Sequence, residues 1–571
     1  MRVLGIWDGH DAGAALLEDG AVTVAVNEER LTRRKLEVRF PTLSIEACLR
    51  HAGLDPGDID VVACSTSDWA KALARLMPAT KEDYYRIRRR KTAYSPWALR
   101  RKRMKYWLTL KPGNRLTDLL SRQTLLRALA PLGFGKPELV LVDHHLAHAA
   151  AAAWAAGFPR STVVTIDGLG DGISATVNRF QEGRLKRLAY TPAADSLGVF
   201  FEHVTNLLNM RELEDEGKVM ALATYAYPVP DDENPMLDFF AVDGLALHAR
   251  MGPLALYDAL RALLWSVPSE QFAFMAQRAL EVHVAELVQR AVSETGISDV
   301  ALAGGAASNI KVNMALRELA EVDHLSVFPH MGDGGLALGA AVAAAGAGGT
   351  LATQRLEHVY WGPSGGGEPV DLPDGLRARE FEDAGGLVAE AAERLAAGEI
   401  LLWFQGRMEY GPRALGHRSI LARPDRVGMR DRLNRQLKKR VWYQPFCPSL
   451  LDSEAATLLE NAGGQPNRFM TMGYRAHKDA RQSLAAVLGA DGTCRPQFVR
   501  PGSGAFADLL AACKAHWGTA CVLNTSMNVH GEPLVHTLEH AFRLMRKHGF
   551  RRLFCPDSAC VYEWEGKDDG A

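Results

Sequence analysis

Apolar residues in this chain come in short runs punctuated by Gly, Asp and Asn, and the same arrangement of runs occurs twice. The first begins at the N-terminus. A strand is predicted over Arg2–Trp7, then a polar turn (DGHDAG), a second strand, an Asp19-Gly20 turn and a third strand over Val22–Asn27. Asp-Gly between two apolar runs is a hairpin signal, because both central residues of the favoured turn need positive φ. The pattern returns at 162–190 as TVVTID, a GLGDG loop, ISATVNRF, a QEG turn and RLKRLAYT. A strand–turn–strand unit repeated at this distance predicts two related lobes, each a mixed sheet covered by helices.

Later runs extend both lobes and add a second domain. DVALAGGAASNIKVN (299–313) reads as strand, Gly-rich loop and helix, and Asp333 opens a helix of small residues in HMGDGGLALGAAVAAAGAGG (330–349). The Gly-rich stretch that ends in GPSGGGEP (362–369) is the predicted domain boundary. Domains are therefore expected over 1–350 and 365–571. The second has its own α/β pattern: a helix at 385–397, the strand EILLWFQG, the motif GPRALGHRSIL (411–421), a basic helix ending KKRVWYQPFCPS, and the strand TACVLNTSMN (519–528). Two duplicated lobes with a polar loop after the first strand are the pattern of the actin, sugar-kinase and Hsp70 class, which holds nucleotide in its cleft. The expected fold class is thus α/β, with a duplicated actin-like domain followed by a separate α/β domain.

Bulk composition narrows the function classes. At 571 residues the chain is too long for one core. It is 47% hydrophobic and 23% charged, as soluble globular proteins are. A net charge of −1 gives no global attraction to nucleic acid, and no nucleic-acid partner is expected. The start, MRVLGIWDGHDAG, lacks the features of a signal peptide, and no run has the length of a bilayer span. The eight Cys form no CxxC pair and read as buried thiols of a cytoplasmic protein. One segment departs from this balance. Between Lys71 and Arg122 there are sixteen Lys/Arg and three Asp/Glu, with RIRRRK (86–91), RRKRMK (100–105), Trp97, Tyr106 and Trp107 interleaved. This reads as a basic helical hairpin inserted at about 70–130. A solvated face, an anionic substrate, an anionic membrane surface and RNA are the alternatives it leaves open.

Candidate chemistry lies on these elements. His144 and His148 are four apart in VDHHLAHAAAA, so on a helix both imidazoles share one face and can reach one metal ion. A satisfied core pair is the bland alternative. Asp167 ends an apolar run, which puts a carboxylate at a strand tip, where α/β sites are built. The amides around Gly304 and Gly305 could receive a phosphate, or could simply form a tight strand–helix turn. In the second domain Arg413 and Arg418 are embedded among apolar and Gly residues, with Lys438, Lys439 and Arg440 close by in sequence. Asn524, Thr525, Ser526 and Asn528 offer amides and hydroxyls at a strand end, so the set suits a phosphate or carboxylate.

Taken together, GHDAG, EER, HHLAHAAAA, IDGLGDG, SLGVFFEHVT, EGKVMALA, GGAASN, GDGGLALGAA, GPRALGHRSIL, PFCPSLL, DGTCRPQ and LNTSMNVHGEP resemble the O-carbamoyltransferases of antibiotic and nodulation-factor biosynthesis. The resemblance covers nearly the whole chain outside the basic segment. It implies an N-terminal domain like the tRNA threonylcarbamoyl-transferase fold and a C-terminal domain like threonylcarbamoyl-AMP synthase. The C-terminal domain would hydrolyse carbamoyl phosphate to carbamate and condense it with ATP, carried as its Mg complex, to carbamoyl-AMP. The N-terminal domain would pass the carbamoyl group to a hydroxyl of a small acceptor in secondary-metabolite or glycan biosynthesis. By the same resemblance His144, His148, Asp167 and Asp333 are the metal ligands, a set that suits iron and also zinc or manganese. His10 is the general base, and Gly304, Gly305 and Asn309 lie against the nucleotide with Lys218 near its phosphate. Arg413, Lys438, Arg495, Asn524 and Ser526, with Arg418 adjacent, form the carbamoyl phosphate and ATP site.

Two positions depart from the family pattern. Gln444 precedes PFCPS where an Arg is usual, and Gly489 stands where a His often precedes DGT. Loss of a guanidinium from a phosphate site costs on the order of 1.5–3 kcal/mol, and a neighbour such as Lys439 is a candidate replacement. Two other functions use the same features: a tRNA-modifying enzyme of the threonylcarbamoyl type, and a catalytically impaired nucleotide-binding scaffold. Salt-sensitive tRNA binding would mark the first, and ATP bound without turnover the second. The acceptor itself is expected to be hydroxylated and is left open as to charge, as are a membrane surface and a homodimer.

Overall fold

The protein is described by a computed structural model over residues 1–89, 96–347, 349–366, 370–464 and 466–564, the side chains of 96–99 and 101–103 excepted. The chain forms two compact units. One comprises Met1–Thr32 with Leu36–Leu356, the other Arg33–Lys35 with Glu357–Ala571.

In the first unit the repeated pattern becomes repeated topology. Strands β1 (Arg2–Trp7), β2 (Gly13–Glu18), β3 (Ala21–Asn27), β4 (Val61–Ser65) and β5 (Glu138–Val142) form one sheet in the order β3-β2-β1-β4-β5. The second sheet contains β6 (Arg160–Gly170), β7 (Ile173–Gln181) and β8 (Arg184–Pro192). A small hairpin follows, β9 (Phe240–Asp243) with β10 (Ala246–Ala249), and then β11 (Asp299–Ala303) and β12 (His324–Val327). Its order, β8-β7-β6-β11-β12, repeats the first. In both sheets the first three strands are antiparallel and the last two join the first in parallel. The two hairpin turns explain part of the likeness. Asp19 and Gly20 have φ of 50° and 84°, and Glu182 and Gly183 have 53° and 68°, the left-handed pairs that match the twist of a tight hairpin.

Two helices of small residues, one packed on each sheet, carry the site. His144–Ala156 and Leu336–Gly346 pack on each other, and the second also packs on β1 and β4. Ala147 and the run Ala149–Ala153 are buried, so the helices approach closely and fix the residues at their N-terminal ends. The basic segment differs from the expected hairpin. It forms four helices, Trp69–Leu76, Pro78–Arg88, Pro96–Thr109 and Arg115–Leu129, because Pro78 and Pro96 start new helices and Asn114 caps the last. Arg90, Lys91 and the side chains of Trp97, Arg101, Lys102 and Arg103 lie outside the described residues.

The second unit is an eight-stranded sheet. Its central strands, Leu401–Phe404, Arg418–Ala422, Cys521–Ser526 and Cys447–Leu451, are antiparallel neighbours. Helices Ala384–Ala396 and Ala505–Trp517 cover one face around Leu387, Leu395, Trp403, Leu510 and Phe554. Each of these large side chains, fully buried, contributes about 1.5–3 kcal/mol. The predicted basic helix is short: Val427–Arg432 passes into one π-turn, Leu433–Leu437, and the chain then breaks at Lys439, whose φ is 49°. Among the described residues no helix is long and apolar enough to cross a membrane, and none of the eight cysteines is disulfide-bonded.

Candidate functional site

Asp143 caps the helix His144–Ala156 by accepting from the Leu146 amide, which puts His144 and His148 on one face of its first turns. Asp167 sits near the end of β6, and Asp333 opens the turn before Leu336–Gly346. One ligand atom from each of His144, His148, Asp167 and Asp333 lies within 4.8 Å of the others, all in the interior. Nε2 of His144 is 3.3 Å from Asp167 Oδ2 and 3.6 Å from Asp333 Oδ1; Nε2 of His148 is 3.7 Å from Asp333 Oδ1.

The donors are held from behind. Nδ1 of His144 meets the hydroxyl of Thr66 at 2.9 Å, and the Gly305 amide donates to Asp167 Oδ1 at 2.7 Å. Asp171, in the left-handed region at φ 52°, accepts from the amides of Ser67, Asp68 and His144 and ties β4 to the helix. Gly170 is required here, since a Cβ would stand 2.2 Å from Cγ of His144. The remaining histidine of the motif, His145, is spent between Thr165 Oγ1 and the Ile173 carbonyl.

Whether these residues suit a metal is decided by their chemistry. Two imidazoles and two carboxylates form a borderline donor set for iron, zinc or manganese. Nε2 of His148 is buried without a hydrogen-bond partner among the described residues, a costly state that a metal–ligand bond relieves. The set fits a divalent transition metal.

His10 stands at the edge of this group. Its Nε2 is 3.1 Å from Asp333 Oδ2, and Nδ1 is 3.6 Å from Asp11 Oδ2. Burial pushes the imidazolium toward neutrality, but the Asp333 charge and the bonds to Asp11 and Asp333 outweigh it and raise the pKa to about 9. The ring of Tyr85 packs edge-on against His10 at 5.4 Å.

The nucleotide candidates are more constrained than their motif implies. Gly304 has φ 100°, and a Cβ would lie 2.2 Å from the Ile166 carbonyl, so β6 and this loop touch backbone to backbone. Asn309 caps the helix Ile310–Arg317 and exchanges two amide hydrogen bonds with Gln277. Lys218 is paired to Asp215 at 2.7 Å.

In the second unit Arg495 donates from Nε and Nη2 to Cys447 Sγ at 3.2 and 3.0 Å. Arg413 is lowered to about 9, by burial first and then by the charge of Arg495. Its Nε has no partner. Asn524 pairs with Cys447 across the sheet and donates to Ser449 Oγ at 2.9 Å, leaving its own Oδ1 buried and unbonded. Lys438 donates to the backbone and side chains of Ser526 and Asn528, including the Asn528 carbonyl at 2.7 Å. These residues come together as one cationic cluster.

Arg418 does not offer its charge to that cluster. It is fully buried, and its terminal nitrogens donate to the carbonyls of Gln405, His417 and Gly406, with the guanidinium 3.6 Å above the Phe404 ring. Expectation erred because a Gly-rich motif hides how many carbonyls face inward. Lys439 is exposed, whereas Arg440 is held by Asn434 at 2.6 Å within electrostatic range of Cys447 and Arg495. Thr66, Asp171 and Tyr85 are thus the positions that sequence reasoning passed over as site residues.

Against protein families, residues 2–342 match the carbamoyltransferase N-terminus model and residues 392–560 the carbamoyltransferase C-terminus model. The chain belongs to the carbamoyltransferase family. This carbamoyltransferase is 33% identical to nodulation protein NolNO of Sinorhizobium fredii over 93% of its own length and 76% of the relative's. It is 33% identical to nodulation protein NolO of Bradyrhizobium diazoefficiens, covering 70% of this chain and 75% of that one. An uncharacterized protein of Methanocaldococcus jannaschii shares 27% identity over 96% of this chain and 98% of its own. Membership makes the carbamoyltransferase a transferase enzyme.

Proposed function

We propose that the protein is an ATP-dependent O-carbamoyltransferase with two chemical stations, an actin-like first unit and a second unit like threonylcarbamoyl-AMP synthase. The second unit hydrolyses carbamoyl phosphate to carbamate and phosphate. It then joins carbamate to ATP, with release of pyrophosphate, to give carbamoyl-AMP. Arg413, Arg495 and Arg440 bind the phosphate groups there and offset the charge that builds during adenylation. Adenylation is needed because carbamate is a poor electrophile, and AMP supplies a leaving group.

At the first unit the acceptor oxygen attacks the carbamoyl carbon. A new C–O bond forms, the C–O bond to the AMP phosphate breaks, and the hydroxyl proton passes to His10, whose imidazole would be neutral once a metal held by Asp333 offsets the carboxylate charge that raises its pKa. His144, His148, Asp167 and Asp333 would hold a divalent metal, which when bound supplies Lewis-acid polarisation of the leaving phosphate. Thr66 and Gly305 keep His144 and Asp167 oriented for that role. The Gly304–Gly305 loop, whose second amide donates to Asp167, would lie beside the nucleotide. The observation that carries this reading is the convergence of four buried donors within 4.8 Å, with His10 on one of them.

The test separates the stations. AMP and pyrophosphate should appear from ATP only when carbamoyl phosphate is present. His144→Ala should lose bound metal and carbamoyl transfer while still forming the adenylate. AMP release indifferent to carbamoyl phosphate would refute the donor, and loss of adenylation in His144→Ala would refute the division of labour.

A further inference from the structure

Part of the charge in the basic segment turns inward. Arg75 is bound by both oxygens of Asp8 at 2.9 and 3.0 Å, and Arg88 by Glu202 and Glu212. Lys71 reaches the same Asp8 at 2.8 Å and lies 3.8 Å over the Trp7 ring. Two more lysines have no carboxylate in contact among the described residues, although Asp8 lies within electrostatic range of Lys81 and Asp68 of Lys105. Lys81 is 8% exposed, and no hydrogen bond or ion pair reaches it from the described residues. Lys105 sits 3.6 Å over the Tyr84 ring and 4.5 Å over the Tyr85 ring, again without a carboxylate in contact among the described residues.

These lysines belong to the wall beside the base. Tyr85 links them to it, with one ring contact to His10 at 5.4 Å and the other to Lys105. Trp7 does the same on the other side: it carries Lys71 on its face, meets His144 edge-on at 5.9 Å, and donates to the His10 carbonyl at 2.7 Å. The pair Gly304–Gly305, in contrast, adjoins Asp167, the carboxylate that His10 does not touch. The cations therefore stand on the side of the base, where the acceptor hydroxyl must come.

The electrostatics agree. Lys105 is held well below the ordinary lysine range, first by burial and then by Arg88, Lys81 and Lys71. Lys81 is lowered to about 7, by burial first and then by Lys71. Asp8 serves Lys71 and Arg75 at once. Excess buried positive charge of this kind is costly until an anion joins it.

We propose that Lys71, Lys81 and Lys105, with Tyr84 and Tyr85, form an anion subsite beside His10, and that the acceptor carries a carboxylate or phosphate near the hydroxyl that is carbamoylated. The inference rests on the reading of the first unit as the transfer station and adds the acceptor's charge class to it. The anion pairs with the ammoniums, while the tyrosine rings supply a flat apolar wall for the acceptor's carbon frame.

Calorimetric titration of the whole protein with sodium sulfate, a bare anion probe, tests the subsite. The wild type is expected to show a sulfate site that Lys105→Gln weakens about 10- to 100-fold and that Lys105→Arg retains. Saturating AMP should leave that site in place. Sulfate binding that is unchanged in Lys105→Gln overturns the subsite. Displacement of sulfate by AMP overturns it too, because the cations would then serve the nucleotide. Formation of pyrophosphate from ATP and carbamoyl phosphate, assayed in the wild type, reports separately on the function. If pyrophosphate forms but no Lys105-dependent sulfate site exists, only the acceptor's charge class falls. If no pyrophosphate forms, the proposed function falls whatever sulfate does.

Discussion

The hydroxyl of Thr66 stands 2.9 Å from Nδ1 of His144 and leaves Nε2 as the nitrogen that faces Asp167 and Asp333. Thr66 holds this place with φ at 72°, in the left-handed region that β-branched residues avoid at a cost of about 1–3 kcal/mol. Strain of this size is retained where it positions a group. Thr66→Gly should remove the strain and the hydroxyl together. Its melting temperature should match or exceed the wild type's, while its affinity for iron(II), zinc or manganese falls about 10- to 100-fold. Equal metal affinity in the two proteins, measured by competition with a chelating dye, would show that Thr66 does not orient the ring.

Gly170→Ala probes the same imidazole from the other side. The added Cβ would lie 2.2 Å from Cγ of His144. Overpacking of this kind costs about 1–3 kcal/mol. Bound metal should fall with stability, while adenylate formation, housed in the other unit, continues. Full metal occupancy in this variant would mean that the helix carrying His144 shifts freely.

Legibility from sequence followed the length scale of each signal. The hairpins were legible because Asp19-Gly20 and Glu182-Gly183 announce their turn geometry locally. His144 and His148 were legible because helical spacing alone puts them on one face. Thr66 was not, since it comes from β4 and meets the helix only through folding, and a single Thr at a strand end has no spacing to betray it. Arg418 shows the opposite failure. Its motif looked like an anion site, but backbone carbonyls take up its terminal nitrogens. In the basic segment, charge counting found the excess, and only the fold could say that part of it points inward at Asp8, Glu202 and Glu212.

Glu216 should make stability depend on pH. Burial first, and the charge of Glu202 second, raise its pKa to about 8, and its Oε1 accepts from the Leu213 amide at 2.6 Å. The folded protein therefore keeps a proton that the unfolded chain releases near its ordinary 4.5. Stability from this proton is complete below about pH 4.5 and is lost as pH rises through about 8. Glu216→Gln stays neutral and can still accept the amide. Its melting temperature should match the wild type's at pH 4.5 and exceed it by a growing margin up to pH 8.5. A margin that is constant with pH would place the proton elsewhere.

Arg440 is expected to compensate for Gln444. It lies within electrostatic range of Arg495 and Cys447 in the cationic cluster. It is fixed by Asn434 Oδ1 at 2.6 Å and by the Phe446 ring at 4.1 Å, so it is a placed charge and not a solvated one. Lys439 is exposed and turned aside by its left-handed backbone. Arg440→Gln should therefore raise KM for carbamoyl phosphate about 10- to 100-fold, the worth of one charged hydrogen-bonding contact, whereas Lys439→Gln should change it less than twofold. Adding Gln444→Arg to Arg440→Gln should recover part of the loss, because the charge returns to the same phosphate from the neighbouring position. If Lys439→Gln carries the defect, or if Gln444→Arg rescues nothing, the charge that replaces the missing arginine must come from another residue of the cluster.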